Sequence, residues 1–195
     1  MKNIIVMKIY EYDPTFGGLY SKYEGYKRIC LQEEDPGICN ISNSNIISCE
    51  SLYSSKLKRG IESAEILSKH GDISFKSTYL LNEIIFDMSK LLTETEYIEF
   101  GSFLVRKRFI DAFTRNELNE PLDNIHDRIE KLLFLLSIDK SKKITLVSHS
   151  FFMKIFEIYL QDKDLFTFPE RIKNYFDPYK KLYNFGESFE FTLLK

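Results

Sequence analysis

Several polar residues stand where strands of the predicted sheet end and helices begin, and their side chains are of types that bind anions. They are Ser54 and Ser55, Arg59 shortly after them, Glu83, and His149 with Ser150. A guanidinium group presents a planar fork of donors that matches phosphate, and a helix N-terminus presents free amide protons. A nearby carboxyl group can protonate a leaving oxygen. The set therefore indicates a phosphate site.

These residues are positioned by alternating strand and helix patterns. The strands are predicted over residues 3–12, 46–53, 73–81, 143–148 and 187–194. The helices are predicted over residues 56–69, 93–117, 122–137 and 151–160. Ser54-Ser55 is expected to cap the first helix and Gly71 to end it. The alternation predicts one α/β domain over residues 1–195, a three-layer sandwich with a mostly parallel central sheet flanked by helices.

Four stretches of the sequence resemble motifs of the histidine phosphatases. Residues 54–67, SSKLKRGIESAEIL, are similar to the family pattern SSPLKRAxxTAEIL. Residues 146–152, LVSHSFF, resemble the later VSHGGF motif, and residues 81–84, LNEI, are similar to the LxE element. Residues 184–194, NFGESFEFTLL, look like the final strand. Only the first motif is specific by itself, and the other three gain weight from their order and spacing.

The resemblance implies a phosphoglycerate-mutase-like fold and a phosphoryl-transfer mechanism with two histidines and two arginines. It places Arg59 as a phosphate clamp and His149 as the histidine that stabilises the transferring phosphoryl group. It places Glu83 as the proton donor to the leaving alkoxide. We expect Ser54 and Ser150, at the ends of the same strands, to complete the phosphate-binding set.

The nucleophile of this family is missing from the sequence. The resemblance places it in an RHG motif after the first strand, near residues 8–15, but no histidine precedes His70 and no arginine precedes Arg28. Tyr12 and Asp13 occupy roughly that position. Removing the nucleophile from a catalytic unit usually removes most of its rate. We therefore expect the family chemistry to be impaired.

A few other residues could replace the missing nucleophile or the missing arginine. Asp13 is a weak candidate nucleophile, since aspartyl-phosphate chemistry normally needs a divalent metal and the sequence offers no convincing carboxylate cluster. Cys49 lies too far from Arg59 for a cysteine phosphatase loop. The candidates to replace the lost arginine are Lys22, Lys27 and Arg28. His70 and His126 are expected to lie away from the site, at a helix end and inside a helix.

Two functions follow from this pattern. The preferred hypothesis is a divergent phosphatase-like protein that binds a small phosphorylated molecule and hydrolyses phosphomonoesters weakly or in an altered way. The alternative is an inactive relative that senses a phosphorylated ligand or acts as a protein-interaction scaffold. The missing histidine favours the alternative, whereas Arg59, Glu83 and His149 at one rim favour the first.

The composition of the chain argues against several classes of ligand and partner. The net charge is −2 and the basic runs are short and scattered, which argues against nucleic acid as a ligand. Three cysteines without a CxxC pair form neither a disulfide framework nor a zinc site, and we expect no cofactor or metal. The apolar run 4–7 is too short for a signal peptide, and no stretch is as long as a membrane span. We expect a cytoplasmic protein, whose substrate and oligomeric state the sequence leaves open.

Overall fold

A five-stranded sheet forms the centre of the protein in the computed structural model, which describes residues 1–40 and 48–194. The strands of the chain are β1 (Lys2–Lys8), β2 (Glu11–Tyr12), β3 (Ile38–Asn40), β4 (Ser51–Ser54), β5 (Phe75–Ser77), β6 (Lys143–Ser148) and β7 (Ser188–Leu193). The order in the main sheet is β5-β4-β6-β1-β7, and only β7 runs antiparallel to its neighbour. The predicted α/β class with a mostly parallel sheet is confirmed.

Helices cover both faces of the sheet. They are α1 (Lys22–Cys30), α2 (Lys58–Gly71), α3 (Met88–Leu91), α4 (Glu94–Thr114), α5 (Leu122–Ile138) and α6 (Ser150–Gln161). The small core on one face joins α2 to β1, β4 and β6 through residues such as Leu67 and Val147. The larger core on the other face packs α4, α5 and α6 against Ile4 and Ile144. Because strand side chains alternate between faces, each central strand contributes to both cores.

Some elements follow the sequence prediction closely and others depart from it. β6 has the predicted bounds, and α5, α6 and β7 agree within about a residue at each end. The predicted strand 73–81 is only three residues long as β5, and a 3-10 turn over Tyr79–Leu81 follows it. The predicted helix 93–117 is α4, which breaks at Gly101, where φ is 59°. The predicted strand 46–53 begins outside the described residues and is observed as β4.

The opening strand is shorter than predicted. β1 stops at Lys8, the amide of Ile9 still donates to Ser148 (3.0 Å), and the amide of Tyr10 instead donates to the Ser63 hydroxyl (3.0 Å). Glu11–Tyr12 then pairs with β3 in a separate two-stranded sheet. The run of β-branched and aromatic residues conceals this break, because it contains no glycine or proline to mark it.

The ends of α2 also differ from the prediction. Its N-cap is Leu57, without a side-chain cap, rather than Ser54-Ser55. Gly71 is the last residue of the helix, and Asp72 adopts the left-handed conformation with φ at 48°. Both serines are buried, Ser54 at the end of β4 and Ser55 directly after it, and the Ser55 hydroxyl contacts His149 Nε2 at 2.7 Å instead. Short polar side chains are common helix caps, so sequence alone could not separate the two uses.

α1 lies in a segment for which the sequence pattern predicts neither a helix nor a strand. Ser21 caps it by accepting from the amide of Glu24 (3.2 Å), which is the serine–glutamate spacing of a helix start. Gly25 lets the helix approach the preceding turn, since a Cβ there would lie 1.4 Å from the Pro14 carbonyl oxygen. No helix among the described residues is long and apolar enough to cross a bilayer.

Candidate active site

The carboxyl ends of three parallel strands bring the predicted site residues to one edge of the sheet. Lys8 at the end of β1 pairs with Ser148 at the end of β6. Ser54 at the end of β4 pairs with Val147, and the amide of Ser55 donates to the Val147 carbonyl (3.0 Å). The chain segments that follow these strands therefore meet at this edge, as expected for a ligand site in an open α/β sheet.

A cavity of about 350 Å³ opens at this edge and contains Arg59, Glu83, His149 and Ser150 in its wall. Its other charged lining residues are Lys8, Glu11, Lys22, Arg106 and Lys181. Five basic side chains and two acidic ones therefore face the space, so the cavity favours an anion. Ser54 does not line it, and its buried hydroxyl has no hydrogen-bond partner among the described residues.

Arg59 extends from the first turn of α2 into the cavity wall and is only 1% exposed. Its Nη1 donates to Asp35 Oδ1 at 2.8 Å, and its guanidinium carbon lies 5.4 Å from the centre of the Tyr12 ring. Asp35 also accepts from the amide of Lys58. The Nε of Arg59 has no partner among the described residues. A buried guanidinium with an unused donor can still bind an anion.

His149 lies between β6 and α6, buried beside Ser55. Its Nε2 is 2.7 Å from the Ser55 hydroxyl. Burial, followed by the positive charges of Arg59, Lys8 and Arg128, holds the pKa of His149 well below its usual value. The imidazole is therefore neutral at neutral pH. Because a Cβ on residue 60 would lie 2.0 Å from the Ser55 hydroxyl, Gly60 makes this contact sterically possible.

Glu83 contacts the N-terminus of α6. Its carboxylate accepts from the amides of Phe151 (3.1 Å) and Phe152 (2.8 Å), and from its neighbour Ile84 (3.0 Å). Burial raises the pKa of Glu83, and these hydrogen bonds oppose that rise. Two amides at the N-terminus of α6, where we expected amides free for an anion, are thus occupied by a carboxylate of the protein.

The segment that carries Glu83 is fixed by buried polar contacts. The Ser148 hydroxyl donates to the Leu81 carbonyl (2.8 Å), and Arg128 Nη1 donates to the Asn82 carbonyl (2.8 Å). Arg128 also forms an ion pair with Glu120 at 2.8 Å. Arg128 was not a sequence candidate, because nothing in the α5 pattern separates it from a surface arginine. It acts here by holding the strand-end loop in place.

A family model supports what the motifs imply. The model of the histidine phosphatase superfamily (branch 1) matches residues 43–175. This chain belongs to the histidine phosphatase superfamily. A search of curated protein sequences finds no match.

Solved structures share the fold at low sequence identity. A phosphoserine phosphatase from Entamoeba histolytica, solved as a mutant with phosphoserine, is 16% identical, with a TM-score of 0.56 over 98% of this chain and 91% of that one. A mycobacterial glucosyl-3-phosphoglycerate phosphatase is 11% identical, with a TM-score of 0.58 over 97% and 89% of the two chains. At these identities the similarity establishes the fold of this superfamily member.

The position that follows β1 holds no histidine in this histidine phosphatase relative. Ile9 comes directly after the strand and lines the cavity, and its amide is bound to Ser148, the residue before His149. Tyr12 also lines the cavity, whereas Asp13 does not. The Asp13 carboxylate instead accepts from the amide (2.8 Å) and hydroxyl (2.7 Å) of Thr15. These bonds lower the pKa of Asp13 and hold it out of the cavity.

Lys8 is a cationic site residue that the sequence analysis missed. Its Nζ donates to the Tyr183 carbonyl (3.0 Å) and lies 4.1 Å from the centre of the Phe185 ring. Burial lowers the pKa of Lys8 to about 8, with smaller opposing effects that include Glu83. The sequence contains no signal for it, because the predicted strand continues to residue 12 and Lys8 lies inside it, whereas β1 ends at Lys8.

Of the three residues that could replace the missing arginine, one lines the cavity and two do not. Lys22 lines the cavity, whereas Lys27 and Arg28 form ion pairs with Glu24 at 3.2 and 3.1 Å and do not line it. The other two histidines lie elsewhere. His70 is exposed in the last turn of α2, and His126 stacks on Phe166 at 4.7 Å.

Cysteine and metal chemistry find little support in the described part of the chain. Cys30 lines the cavity, but burial, and then Glu83, raise the pKa of its thiol well above the usual range. The thiol is therefore protonated at neutral pH and a poor nucleophile. Cys30, Cys39 and Cys49 are free, and no group of three metal-ligating side chains occurs among the described residues.

Proposed function

We propose that this protein binds a small phosphorylated molecule at the carboxyl edge of its sheet and hydrolyses phosphomonoesters slowly at most. The observation that carries the proposal is the buried guanidinium of Arg59, a residue that lines the cavity and whose Nε has no partner among the described residues. Lys8 and His149 lie on the same wall. Burial of cations is costly without a compensating anion, and a phosphate would supply one.

Each side chain has a role suited to its environment. Arg59 would bind phosphate oxygens through donors that Asp35 does not use, and Lys8 would contribute a second charge. Neutral His149, oriented by Ser55, would contribute a ring nitrogen as a further contact to the phosphate. A bound dianion would raise the pKa of His149, because it would counter the positive charges that now depress it.

Slow turnover follows from the groups around the expected nucleophile position. The aliphatic Ile9 follows β1, the Asp13 carboxylate is turned toward Thr15, and the Cys30 thiol is protonated. The hydrogen bonds from two α6 amides favour the charged form of Glu83, which opposes its use as a proton donor to a leaving oxygen. These observations favour binding over catalysis, so the inactive ligand sensor remains the second candidate. The free cysteines also fit the cytoplasmic location that we propose.

Binding is tested with inorganic phosphate by thermal shift and calorimetry. Phosphate should raise the melting temperature by linkage. Arg59→Gln should weaken phosphate binding about 10- to 100-fold, the range expected for one charge-assisted contact. The matched control is Arg108→Gln, since Arg108 is 47% exposed and does not line the cavity. Equal phosphate binding by the wild type and Arg59→Gln would contradict the proposal.

A second variant tests phosphate binding at the same site in the event that Arg59→Gln does not fold. Asp35→Asn removes the negative charge beside the guanidinium and keeps one of the two oxygens, so it can accept from the Lys58 amide while the contact to Arg59 is lost. Phosphate should bind more tightly to this variant. Turnover of phosphomonoesters is then compared between the wild type and His149→Ala. Wild-type hydrolysis no faster than that of the variant selects the sensor, and faster hydrolysis selects the weak phosphatase.

A further inference from the structure

The cavity has a second wall that the phosphate site does not use. Seven of its 23 lining residues are aromatic. Tyr12 from β2, Tyr26 from α1 and Tyr97 from α4 contribute to this wall, with Phe86 and Val105 among its apolar members. We call Tyr12, Tyr26 and Tyr97 the tyrosine wall. Its composition suits a flat apolar group more than a chain of hydroxyl groups.

The tyrosine wall adjoins the cationic group. The Tyr12 ring lies 5.4 Å from the Arg59 guanidinium, so one ligand can contact both. Tyr26 and Tyr97 are in edge contact with centroids 6.1 Å apart, and Tyr97 also contacts Tyr23 at 5.8 Å. The Tyr23 hydroxyl donates to the Leu92 carbonyl (2.9 Å), which fixes the ring behind the wall.

The hydroxyls of the tyrosine wall have no hydrogen-bond partner among the residues with described positions. Burial raises the pKa of all three phenols, so they are neutral at physiological pH. Partly or fully buried tyrosine hydroxyls usually find a partner. They can therefore serve ligand groups at the edge of a ring, while the rings themselves contact its face.

Apart from the three tyrosine hydroxyls, polar groups that could hold a sugar-like or glycerate-like ligand are few at this wall. Arg106 is already used, with Nε donating to the Pro178 carbonyl (2.8 Å) and Nη1 to the Ser102 hydroxyl (2.9 Å). Lys22 and Lys181 are exposed. A ligand rich in hydroxyl groups would find hydrogen bonds mainly at the three tyrosine hydroxyls, and its other hydroxyls would lose water against apolar side chains.

We propose that the ligand is an aryl phosphate, with the phosphate on Arg59 and Lys8 and the aromatic ring against the tyrosine wall. This inference rests on the proposed phosphate-binding function and adds the chemical class of the organic part. An aryl phosphate can be a free metabolite or a phosphotyrosine side chain of a protein. Both present the same ring and the same dianion to the cavity.

The test uses phosphonates, because their carbon–phosphorus bond survives any residual hydrolysis. Binding of phenylphosphonate and 2-hydroxyethylphosphonate to the full chain is measured by calorimetry. The wild type should bind the phenyl compound at least about 10-fold more tightly, since its ring buries apolar surface that the other probe lacks. Tyr26→Ser should bring this ratio toward one, and Tyr26→Phe, which keeps the ring, should preserve most of it.

The outcomes separate this inference from the proposed function. Equal affinity for the two phosphonates overturns the aryl class but leaves phosphate binding intact. Binding of neither phosphonate nor inorganic phosphate overturns the proposed function and the inference with it. If the inference holds, phosphotyrosine and a phosphotyrosyl peptide distinguish its sources, because tighter binding of the peptide indicates a protein side chain and tighter binding of the free amino acid a metabolite.

Discussion

The protonation of the Lys8 amine affects both the stability of the fold and the binding of an anion in the cavity. The side chain is buried at the end of β1, and its pKa is lowered to about 8, mainly because burial disfavours the charged form. The charge is therefore costly to the free protein and useful to a bound anion. A residue with both properties is expected at a binding site rather than in a core.

The pH dependence of Lys8 can be measured directly. Between pH 8 and about 10.5 the unfolded chain binds more protons at this residue than the folded chain does, so stability should rise with pH across that window. Phosphate affinity should fall over the same window as the charge is lost. Urea unfolding of Lys8→Met should lack this component of the rise.

Lys22→Met is the matched control for Lys8→Met, because Lys22 lines the same cavity but is exposed. It should keep the stability rise of the wild type. A Lys8→Met protein with an unchanged pH profile of stability would show that Lys8 titrates as an ordinary surface amine.

At the scale of elements, α1 places one side of the binding cavity. It packs close to the turn that precedes it, with Gly25 against the Pro14 carbonyl, and its side chains Tyr26, Ile29 and Cys30 line the cavity. The turn itself is held by the hydrogen bonds of Asp13 to Thr15. The segment where the family motif was expected is thus built as a support for α1.

Gly25→Ala tests this support. The new Cβ would lie 1.4 Å from the Pro14 oxygen, so helix or turn must move, at a cost of about 1–3 kcal/mol in the free energy of unfolding. The displaced Tyr26 should also weaken phenylphosphonate binding. The free energy of unfolding is measured by urea unfolding, and phenylphosphonate binding is measured by calorimetry.

Gly71→Ala is the control for this substitution. Gly71 is helical, and its nearest neighbour to a new Cβ is the Ile73 side chain at 3.4 Å. Its stability should be unchanged or higher by up to about 1 kcal/mol, since alanine favours a helix more than glycine does. Equal stability of Gly25→Ala and the wild type would mean that α1 is free to shift.

Across the whole molecule, the two ends of the sheet serve different purposes. The carboxyl end carries the cavity, whereas the amino end is fastened by a polar cluster around Asp139, which lies just before β6. Asp139 accepts from the Tyr53 hydroxyl (2.6 Å) and from the Ser141 amide (2.7 Å). Lys2 Nζ donates to the last carbonyls of α5, including those of Leu136 (2.7 Å) and Ser137 (2.8 Å).

The Asp139 cluster should govern acid stability. Burial tends to raise the pKa of Asp139, but hydrogen bonds from Tyr53, Ser141 and Ser51 outweigh it and hold the pKa at about 2. Its stabilising contribution is present above pH 4 and is lost as pH falls from about 4 to about 2. Asp139→Asn should flatten this part of the acid unfolding curve.

Asp127→Asn is the control for the acid prediction, because Asp127 is 72% exposed and its ion pair with Lys131, at 3.5 Å, lies on the surface. It should reproduce the wild-type acid curve. Phosphate affinity should be unaffected by Asp139→Asn, because the cluster lies at the end of the sheet remote from the cavity. An acid curve of Asp139→Asn that matches the wild type would contradict the assigned role.

The site positions that could be predicted from the sequence are those of residues in local sequence motifs. Arg59 lies in α2 and His149 between β6 and α6, as the motifs implied, and the superfamily and fold class are confirmed. The bond between Glu83 and α6 could not be predicted, because its two partners are 68 and 69 residues away in sequence. The catalytic and phosphate-binding roles remain predictions.

The sequence by itself determined the family, the order of the main strands and helices, and the absence of a histidine before His70. Those features depend on local side-chain patterns and on which residues the chain contains. Only the tertiary structure decided that Asp13 turns away, that Lys8 enters the cavity, and that Tyr12, Tyr26 and Tyr97 share one wall. Burial, charge and contact between distant segments set these properties, and such contacts exist only once the sheet and its helices have packed.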